Sequence, residues 1–412
     1  MTDSRAATRP TSSRAIGARR SRIGIALAGG GPLAAAYEIG ALTALQESIE
    51  GLDLNDADIY VGISAGGIVA AGLANGITPQ QMCRMFIDSE QDAASGARLR
   101  PERLFAPAWG ELGKRAAALP HLLAGSAFDY LRRGGKSSVA HSFERLKRAL
   151  PAGVISSAGI HDFLAHSFSE GGRSNDFRQL KRRLVIVATD LDSGTSVEFG
   201  QPGLDHVPIS RAAQAGAAVP GLFPPVEIDG RHFVDGALRK TVHASIALKD
   251  GADLVFCLNP IVPYNGGMPQ AGSLAGHGLL TVLSQTLRTI IHSRLEIGLG
   301  NYSRLYPDAD VLLFEPSQAD AEMFFANLFS YTQRRRMCEN AYQNTRLMLW
   351  QRRAALAPQL ARHGLRLKLP LLRDAGMTLV KDAGRRRRDR FAVGQLQDTL
   401  QDLERYLKVA QG

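Results

Sequence analysis

The first part of the chain alternates short apolar runs with helical patterns, and glycines mark the junctions. Residues 22–31, RIGIALAGGG, predict a buried strand that ends in a run of glycines. Residues 32–50 place apolar side chains at helical spacing and predict a helix. The same order returns in residues 56–76, DADIYVGISAGGIVAAGLANG. Two strand–turn–helix units in succession favour an α/β protein.

Further apolar runs extend the predicted sheet. Residues 182–200 predict a buried strand, a DSG turn and a second strand, and residues 226–236 predict a hairpin around Asp229 and Gly230. GADLVFCLNP and DADVLLFEP predict two more strands, and after about residue 317 the pattern becomes helical. Apolar strands that alternate with helices predict a mainly parallel central sheet.

Basic residues are concentrated near the two ends of the chain. Residues 1–22 contain six arginines and one aspartate, and residues 381–390, KDAGRRRRDR, contain six basic and two acidic residues. The two segments therefore carry 6 − 1 = +5 and 6 − 2 = +4 of the formal net charge of +10. Such segments favour contact with an anionic membrane surface, and a solvated tail that only aids solubility is the alternative. Nucleic acid is disfavoured, because no aromatic residues are interleaved with the charges.

Cysteine content and hydropathy limit the class of protein. Three widely spaced cysteines without a CxxC pair disfavour a disulfide scaffold and a zinc site. The N-terminal segment is polar and has no apolar region of a signal peptide, and no run of about 18 apolar residues predicts a membrane span. We therefore expect a cytoplasmic protein that can bind a membrane peripherally.

Ser64 lies in the sequence GISAG, between the predicted strand and the helix that follows it. A serine on such a tight turn exposes its hydroxyl group as a nucleophile, and flanking glycines let the strand and helix backbones pass closely. The alternative is a serine that only caps an alanine-rich helix. Because a helix cap does not explain glycine at both Gly62 and Gly66, the pattern favours the nucleophile.

Gly29, Gly30 and Gly31 lie where the first predicted strand gives way to a helix. Backbone amides at a helix N-terminus can stabilise the oxyanion that forms during acyl transfer. A nucleotide phosphate is the alternative ligand of such a loop. However, Ala34 stands where GxGxxG needs its third glycine, and the chain has no GK[ST] of a P-loop.

Taken in this order, the motifs resemble the patatin-like phospholipases, which are lipid acyl hydrolases with a Ser–Asp dyad. The resemblance rests on GGG, GISAG, VATDLDSG, AVPGLFPPVEIDGRHFVDGA and GADLVFCLNP, and covers about residues 22–260. It implies a three-layer α/β/α fold with a mainly parallel central sheet, followed by a C-terminal helical extension. It also implies hydrolysis of carboxylic esters of membrane or storage lipids, with no metal and no organic cofactor.

The resemblance also implies a role for each matching residue. Ser64 would be the nucleophile and Asp235 the general base, and Gly236 and Ala237 would complete the DGA motif. The oxyanion hole would be formed by Gly29, Gly30 and Gly31. The nucleophile elbow would contain Gly62 and Gly66.

Two departures from the family pattern leave alternatives open. Pro32-Leu33-Ala34 stands where the family usually places Arg-Gly, and the Asn-Pro that often follows the DGA motif is absent. A non-catalytic patatin-like module that binds lipid or a protein partner is therefore the competing hypothesis. An α/β-hydrolase triad would use His243, but that fold normally places several strands before its nucleophile.

The predicted domain organisation has three parts. Residues 1–21 form a disordered basic tail, residues 22–317 the hydrolase domain, and residues 318–412 a helical extension with a basic break at 385–390. In the extension, the aromatic and basic run at 323–336 predicts either an interfacial helix or, as the favoured interpretation, a helix packed on the sheet. The lipid headgroup, the acyl position and the oligomeric state stay open.

Overall fold

The structure is a computed structural model, and it describes residues 20–87, 106–108, 110, 113, 117, 151–265, 273–325, 331–374 and 376–380. The strands of this part of the chain are β1 (Ile23–Leu27), β2 (Ile49–Glu50), β3 (Ile59–Ile63), β4 (Arg183–Asp190), β5 (Ser196–Phe199), β6 (Val226–Ile228), β7 (Arg231–Asp235), β8 (Leu254–Leu258), β9 (Asp310–Phe314) and β10 (Arg366–Leu367). The α-helices are α1 (Gly31–Ser48), α2 (Ala65–Ala74), α3 (Pro79–Phe86), α4 (Ala158–Phe168), α5 (Ile209–Gly216), α6 (Ala244–Lys249), α7 (Leu279–Leu305), α8 (Ala321–Phe325), α9 (Tyr331–Gln351), α10 (Arg353–Arg362) and α11 (Leu369–Arg373).

The central sheet has the strand order β6-β7-β4-β3-β1-β8-β9, and β5 pairs with β4 beside this path. Strands β4, β3, β1, β8 and β9 run parallel to one another. Strands β5 and β7 each run antiparallel to β4, and β6 runs antiparallel to β7. Every residue of β1, β3 and β8 is buried, which explains the continuous apolar runs in their sequences. The predicted mainly parallel sheet is confirmed.

Helices cover both faces of this sheet. Because successive strand residues point to opposite faces, Ile25 and Leu27 of β1 belong to one apolar core and Ala26 belongs to the other. Helices α1, α2 and α5 contribute to the first core, and α6 and α7 contribute to the second. This arrangement confirms the predicted three-layer α/β/α fold.

Helices near the C-terminus pack directly on the first layer. Gly40 of α1 lies against the carbonyl group of Cys338 in α9, so closely that a β-carbon on Gly40 would overlap it. The thiols of Cys83 and Cys338 lie 4.0 Å apart, and β10 pairs with β2. The predicted basic segments lie mostly outside the described residues, so the proposed domain boundaries remain predictions.

The aromatic run near residue 323 packs inside the protein where the structure describes it. Met323 is buried, and the ring of Phe324 stacks on Tyr264 with centroids 5.3 Å apart. This packing supports the interpretation of these residues as core rather than as an interfacial helix. None of the helices in the described ranges combines the length and the hydropathy that a bilayer span requires.

Candidate active site

The register of the sheet brings Ser64 and Asp235 together from distant parts of the sequence. Strand β3 ends with Ile63 paired to Val187 of β4, and β7 ends with Asp235 paired to Ala188, the next residue of β4. Strand β5 pairs with the opposite edge of β4, so β3 and β7 must share one edge. They approach from opposite directions and meet end to end. Ser64, which follows β3, is therefore placed beside Asp235.

Ser64 occupies the strained turn between β3 and α2. Its backbone has φ 53° and ψ −127°, in the region that non-glycine residues rarely adopt. A β-carbon on Gly66 would overlap the carbonyl oxygen of Ala28, and one on Gly62 would overlap Gly67. The two glycines therefore allow β1, β3 and α2 to approach closely, as the sequence predicts for a nucleophile elbow.

Ser64 and Asp235 are 3% and 4% exposed, and hydrogen bonding from the Ser64 hydroxyl acts to lower the pKa of the Asp235 carboxylate. The Asp235 carboxylate also accepts a hydrogen bond of 2.8 Å from the amide of Ala237. Burial raises the pKa of Asp235 to about 6, although both hydrogen bonds act to lower it. A carboxylate with this pKa is a better proton acceptor near neutral pH than an ordinary aspartate.

The backbone around Asp235 fixes its position. The Thr189 hydroxyl donates a 3.1 Å hydrogen bond to the Asp235 carbonyl group, and the Asp235 amide donates to the carbonyl group of Ala218 at 3.0 Å. A β-carbon on Gly236 would overlap the carbonyl oxygen of Val187. The glycine of the DGA motif is thus required by the contact with β4.

The glycine loop after β1 lies directly beside Ser64. A β-carbon on Gly29 would lie 2.7 Å from Cβ and 3.3 Å from Oγ of Ser64. Gly30 and Gly31 have positive φ angles, and α1 begins at Gly31. The amides of these three glycines donate to no acceptor within the part of the chain that the structure describes. They lie at the positive end of the helix dipole, where an anion is favoured.

Ser64 and Asp235 open into a cavity of about 370 Å³ at the C-terminal ends of the parallel strands. Its wall is mostly apolar and includes Ile39, Ile68, Val219, Phe223, Ile261 and Leu287. Val219, Pro220, Leu222 and Phe223 belong to the VPGLFPP segment, residues 219–225, and all four line the cavity. Because this segment lines the cavity beside Ser64, its position suits an acyl chain.

His243 is buried at the start of α6, and it is not among the described residues that line the cavity. Burial, together with the nearby charges of Lys240 and Arg239, lowers the pKa of its imidazole to about 3. Of the two candidate bases, the structure brings Asp235 to the serine.

The contribution of helix α7 to the cavity was not predicted from the sequence. Ser284, Leu287, Arg288 and Ile291 of α7 all line it. Their spacing of three or four residues was a helical signal in the sequence LLTVLSQTLRTII, but nothing local linked this helix to Ser64. Among the described residues, no group of three His, Cys, Asp or Glu side chains is arranged to hold a metal ion.

Together, the three-layer fold and the apolar cavity beside Ser64 and Asp235 agree with the family resemblance of the sequence. A sequence model of the patatin-like phospholipases matches residues 25–248, just over half of the chain. The chain belongs to the patatin-like phospholipase family.

Solved structures with a similar arrangement include two bacterial proteins. VipD from Legionella pneumophila is 17% identical, with a TM-score of 0.37, and the match covers 80% of this chain and 66% of VipD. The type III effector ExoU is 16% identical, with a TM-score of 0.36, and the match covers 81% of this chain and 53% of ExoU. ExoU from Pseudomonas aeruginosa in complex with SpcU matches at 18% identity with a TM-score of 0.27, over 69% of this chain and 53% of that one. The chain thus spans just under two thirds of the length of VipD and about half of the length of ExoU.

Proposed function

We propose that the protein is a lipid acyl hydrolase that cleaves carboxylic esters through an acyl-enzyme at Ser64, with Asp235 as the base. The observation that carries the proposal is the buried juxtaposition of Ser64 with the Asp235 carboxylate in the wall of one cavity, where the pKa of Asp235 is raised to about 6. The apolar cavity beside this pair supports an acyl chain as the group that is bound. Membership of the family supports a lipid substrate.

The chemistry requires two successive acyl transfers. As Oγ of Ser64 attacks the ester carbonyl carbon, its proton passes to the Asp235 carboxylate. The oxyanion of the tetrahedral intermediate accepts hydrogen bonds from the amides of Gly29, Gly30 and Gly31. Collapse of the intermediate expels the alcohol, which takes the proton from Asp235. A water molecule then gives a proton to Asp235 and attacks the carbonyl carbon of the acyl-enzyme. Collapse of this second intermediate breaks the bond to Oγ of Ser64, which recovers the proton from Asp235, and the fatty acid leaves.

A non-catalytic lipid- or protein-binding module remains the second candidate. It is favoured by Pro32-Leu33-Ala34, which replaces the Arg-Gly that usually follows the glycine run of this family. The burial of Asp235 beside Ser64 favours the enzyme, because binding alone does not require a buried carboxyl group next to a strained serine.

Release of fatty acid should depend on pH as expected for a base that must be ionised. We expect kcat/KM for a soluble short-chain phospholipid to rise as pH increases through about 6 and to level off above it, because Asp235 accepts a proton only as a carboxylate. Titration of released fatty acid across this range measures the profile. No hydrolysis at any pH would support the binding module, and a profile that falls between pH 5 and 7 would contradict Asp235 as the base.

We further propose that the protein binds membranes peripherally through the outer face of α7. The exposed apolar side chains of this helix include Leu279, Val282, Leu283, Leu287, Ile290, Ile297 and Leu305. Leu287 also lines the cavity, so the exposed stripe is continuous with the cavity beside Ser64. The exposed arginines Arg294 and Arg304 lie on the same helix. An apolar face with basic residues beside it suits an anionic lipid surface.

The double substitution Leu283→Ser, Ile290→Ser should separate vesicle hydrolysis from hydrolysis of a soluble ester. Neither residue is among those that line the cavity, and both are about half exposed. We expect hydrolysis of vesicle phospholipid to fall by about tenfold or more, because the lost apolar groups no longer enter the bilayer. Turnover of a soluble short-chain ester should change little.

A matched control uses two exposed leucines on other helices, Leu347→Ser with Leu369→Ser. This control should keep vesicle hydrolysis near that of the wild type. Equal losses in both double variants would contradict a specific role for α7.

A further inference from the structure

Arg288 places a positive charge in the wall of the cavity that contains Ser64. It lies one residue after Leu287 on α7, and its side chain is partly buried. Asp235 is the sole acidic residue among the described residues of the cavity wall.

The contacts of the Arg288 guanidinium are all with uncharged groups. Its Nη1 donates a 3.1 Å hydrogen bond to the carbonyl oxygen of Val262, and its Nε lies 3.4 Å from Oγ of Ser284. The guanidinium carbon, Cζ, lies 5.3 Å from the centre of the Phe324 ring. No carboxylate among the described residues forms an ion pair with it. A guanidinium has five N–H donors, so several remain for a ligand.

An arginine in this position keeps its charge. Burial lowers its pKa, but the guanidinium group is effectively always protonated in proteins. A partly buried charge without a counter-ion is costly, and a bound anion would remove this cost. The glycine loop supplies no cation of its own, because Pro32, Leu33 and Ala34 follow it.

We propose that Arg288 binds the phosphate group of the lipid ester whose carbonyl group lies at Ser64, and thereby selects phosphate-bearing esters over neutral ones. This proposal rests on the proposed ester hydrolysis. The guanidinium is a planar fork that matches two phosphate oxygens, and its hydrogen bonds to an anion are stronger than those to a neutral group.

The ratio of two specificity constants tests the proposal directly. One substrate is dihexanoyl phosphatidylcholine and the other is dihexanoylglycerol, which carries the same esters without a phosphate, both below their critical micelle concentrations. We expect Arg288→Gln to lower the ratio of kcat/KM for the phospholipid to that for the glyceride by about 10- to 100-fold, mainly through KM for the phospholipid. Arg288→Lys should retain part of the wild-type preference for the phospholipid, because the positive charge remains.

Arg366→Gln is the control, since this exposed arginine lies in β10 and does not line the cavity. Its ratio should equal that of the wild type. A ratio unchanged in Arg288→Gln, or one lowered equally in Arg366→Gln, would overturn the proposal. So would a parallel loss for both substrates in Arg288→Gln, because it would indicate a structural role.

Binding measurements do not depend on turnover and distinguish failure of this proposal from failure of the proposed hydrolysis. Hexyl phosphate should raise the melting temperature of the wild type and of Ser64→Ala, but much less that of Arg288→Gln. Inorganic phosphate and hexanoate at the same concentration separate an alkyl phosphate from a free anion and from a fatty acid product. Equal stabilisation of Arg288→Gln by hexyl phosphate, or stronger stabilisation of the wild type by hexanoate or inorganic phosphate, would contradict the assignment.

Discussion

Asp235→Asn is expected to abolish ester hydrolysis while the protein stays folded. The asparagine side chain can still accept the hydrogen bond from Ser64, but it cannot take the proton of the serine hydroxyl group. General bases typically contribute about 100- to 10,000-fold to the rate, and a loss within or beyond this range is expected for kcat with a soluble ester. A continuous assay with a chromogenic short-chain ester measures it.

His243→Ala is the matched comparison for the base. This histidine is buried outside the described wall of the cavity, and its lowered pKa reflects burial and neighbouring cations rather than contact with Ser64. We expect this variant to keep most of the activity if its melting temperature shows that it is folded. A folded but inactive His243→Ala beside an active Asp235→Asn would contradict the serine–aspartate mechanism.

The Asp235→Asn substitution should not weaken the fold at neutral or alkaline pH. The pKa of Asp235 is raised from 3.8 to about 6 in the folded state, so the stability that its protonated form contributes is present below about pH 4 and is lost as pH rises through 6. Above pH 6 the folded protein must keep Asp235 ionised in a buried site, which costs up to about 3 kcal/mol. A neutral amide at this position removes that cost. Urea unfolding of wild type and Asp235→Asn at about pH 8 should give the variant an equal or greater free energy of unfolding.

Gly29→Ala should lower ester hydrolysis by about 100- to 1,000-fold, the range for loss of one oxyanion donor. The new β-carbon would lie 2.7 Å from Cβ of Ser64, closer than real β-carbons approach other atoms, so the loop and the nucleophile must move apart. The amides of the loop would then no longer face the position of the oxyanion. The measurement is kcat for a soluble ester.

Gly67→Ala controls for the addition of a methyl group near the same turn. Its β-carbon would meet its nearest neighbour at 3.5 Å, an ordinary contact with the side chain of Ile186. This variant should keep activity close to that of the wild type. Near wild-type activity in Gly29→Ala would place the oxyanion donors elsewhere.

Local sequence patterns were sufficient to predict the elements around the site. The apolar runs of β1 and β3 are continuous because both strands are buried on both faces of a parallel sheet. The hairpin of β6 and β7 turns at Asp229 and Gly230, which have φ angles of 50° and 73°. These features depend on residues close together in sequence, and they could be read without knowing the tertiary contacts.

The meeting of β3 and β7 could not be predicted from the patterns themselves. It depends on which residues of β4 pair with Ile63 and Asp235, and neither strand carries a local signal for that register. The family resemblance supplied the pair instead. The contribution of α7 could not be predicted for the same reason, since Arg288 lines the cavity that contains Ser64 only through the tertiary placement of its helix.

Labelling with a fluorophosphonate tests the nucleophile most directly. Such a reagent forms a covalent bond with an activated serine, and mass spectrometry of the digested protein locates the adduct. We expect one adduct on wild type, on the peptide that contains Ser64, none on Ser64→Ala and strongly reduced labelling of Asp235→Asn. An unlabelled wild type, or an adduct that persists in Ser64→Ala, would contradict the assignment of Ser64 as the nucleophile.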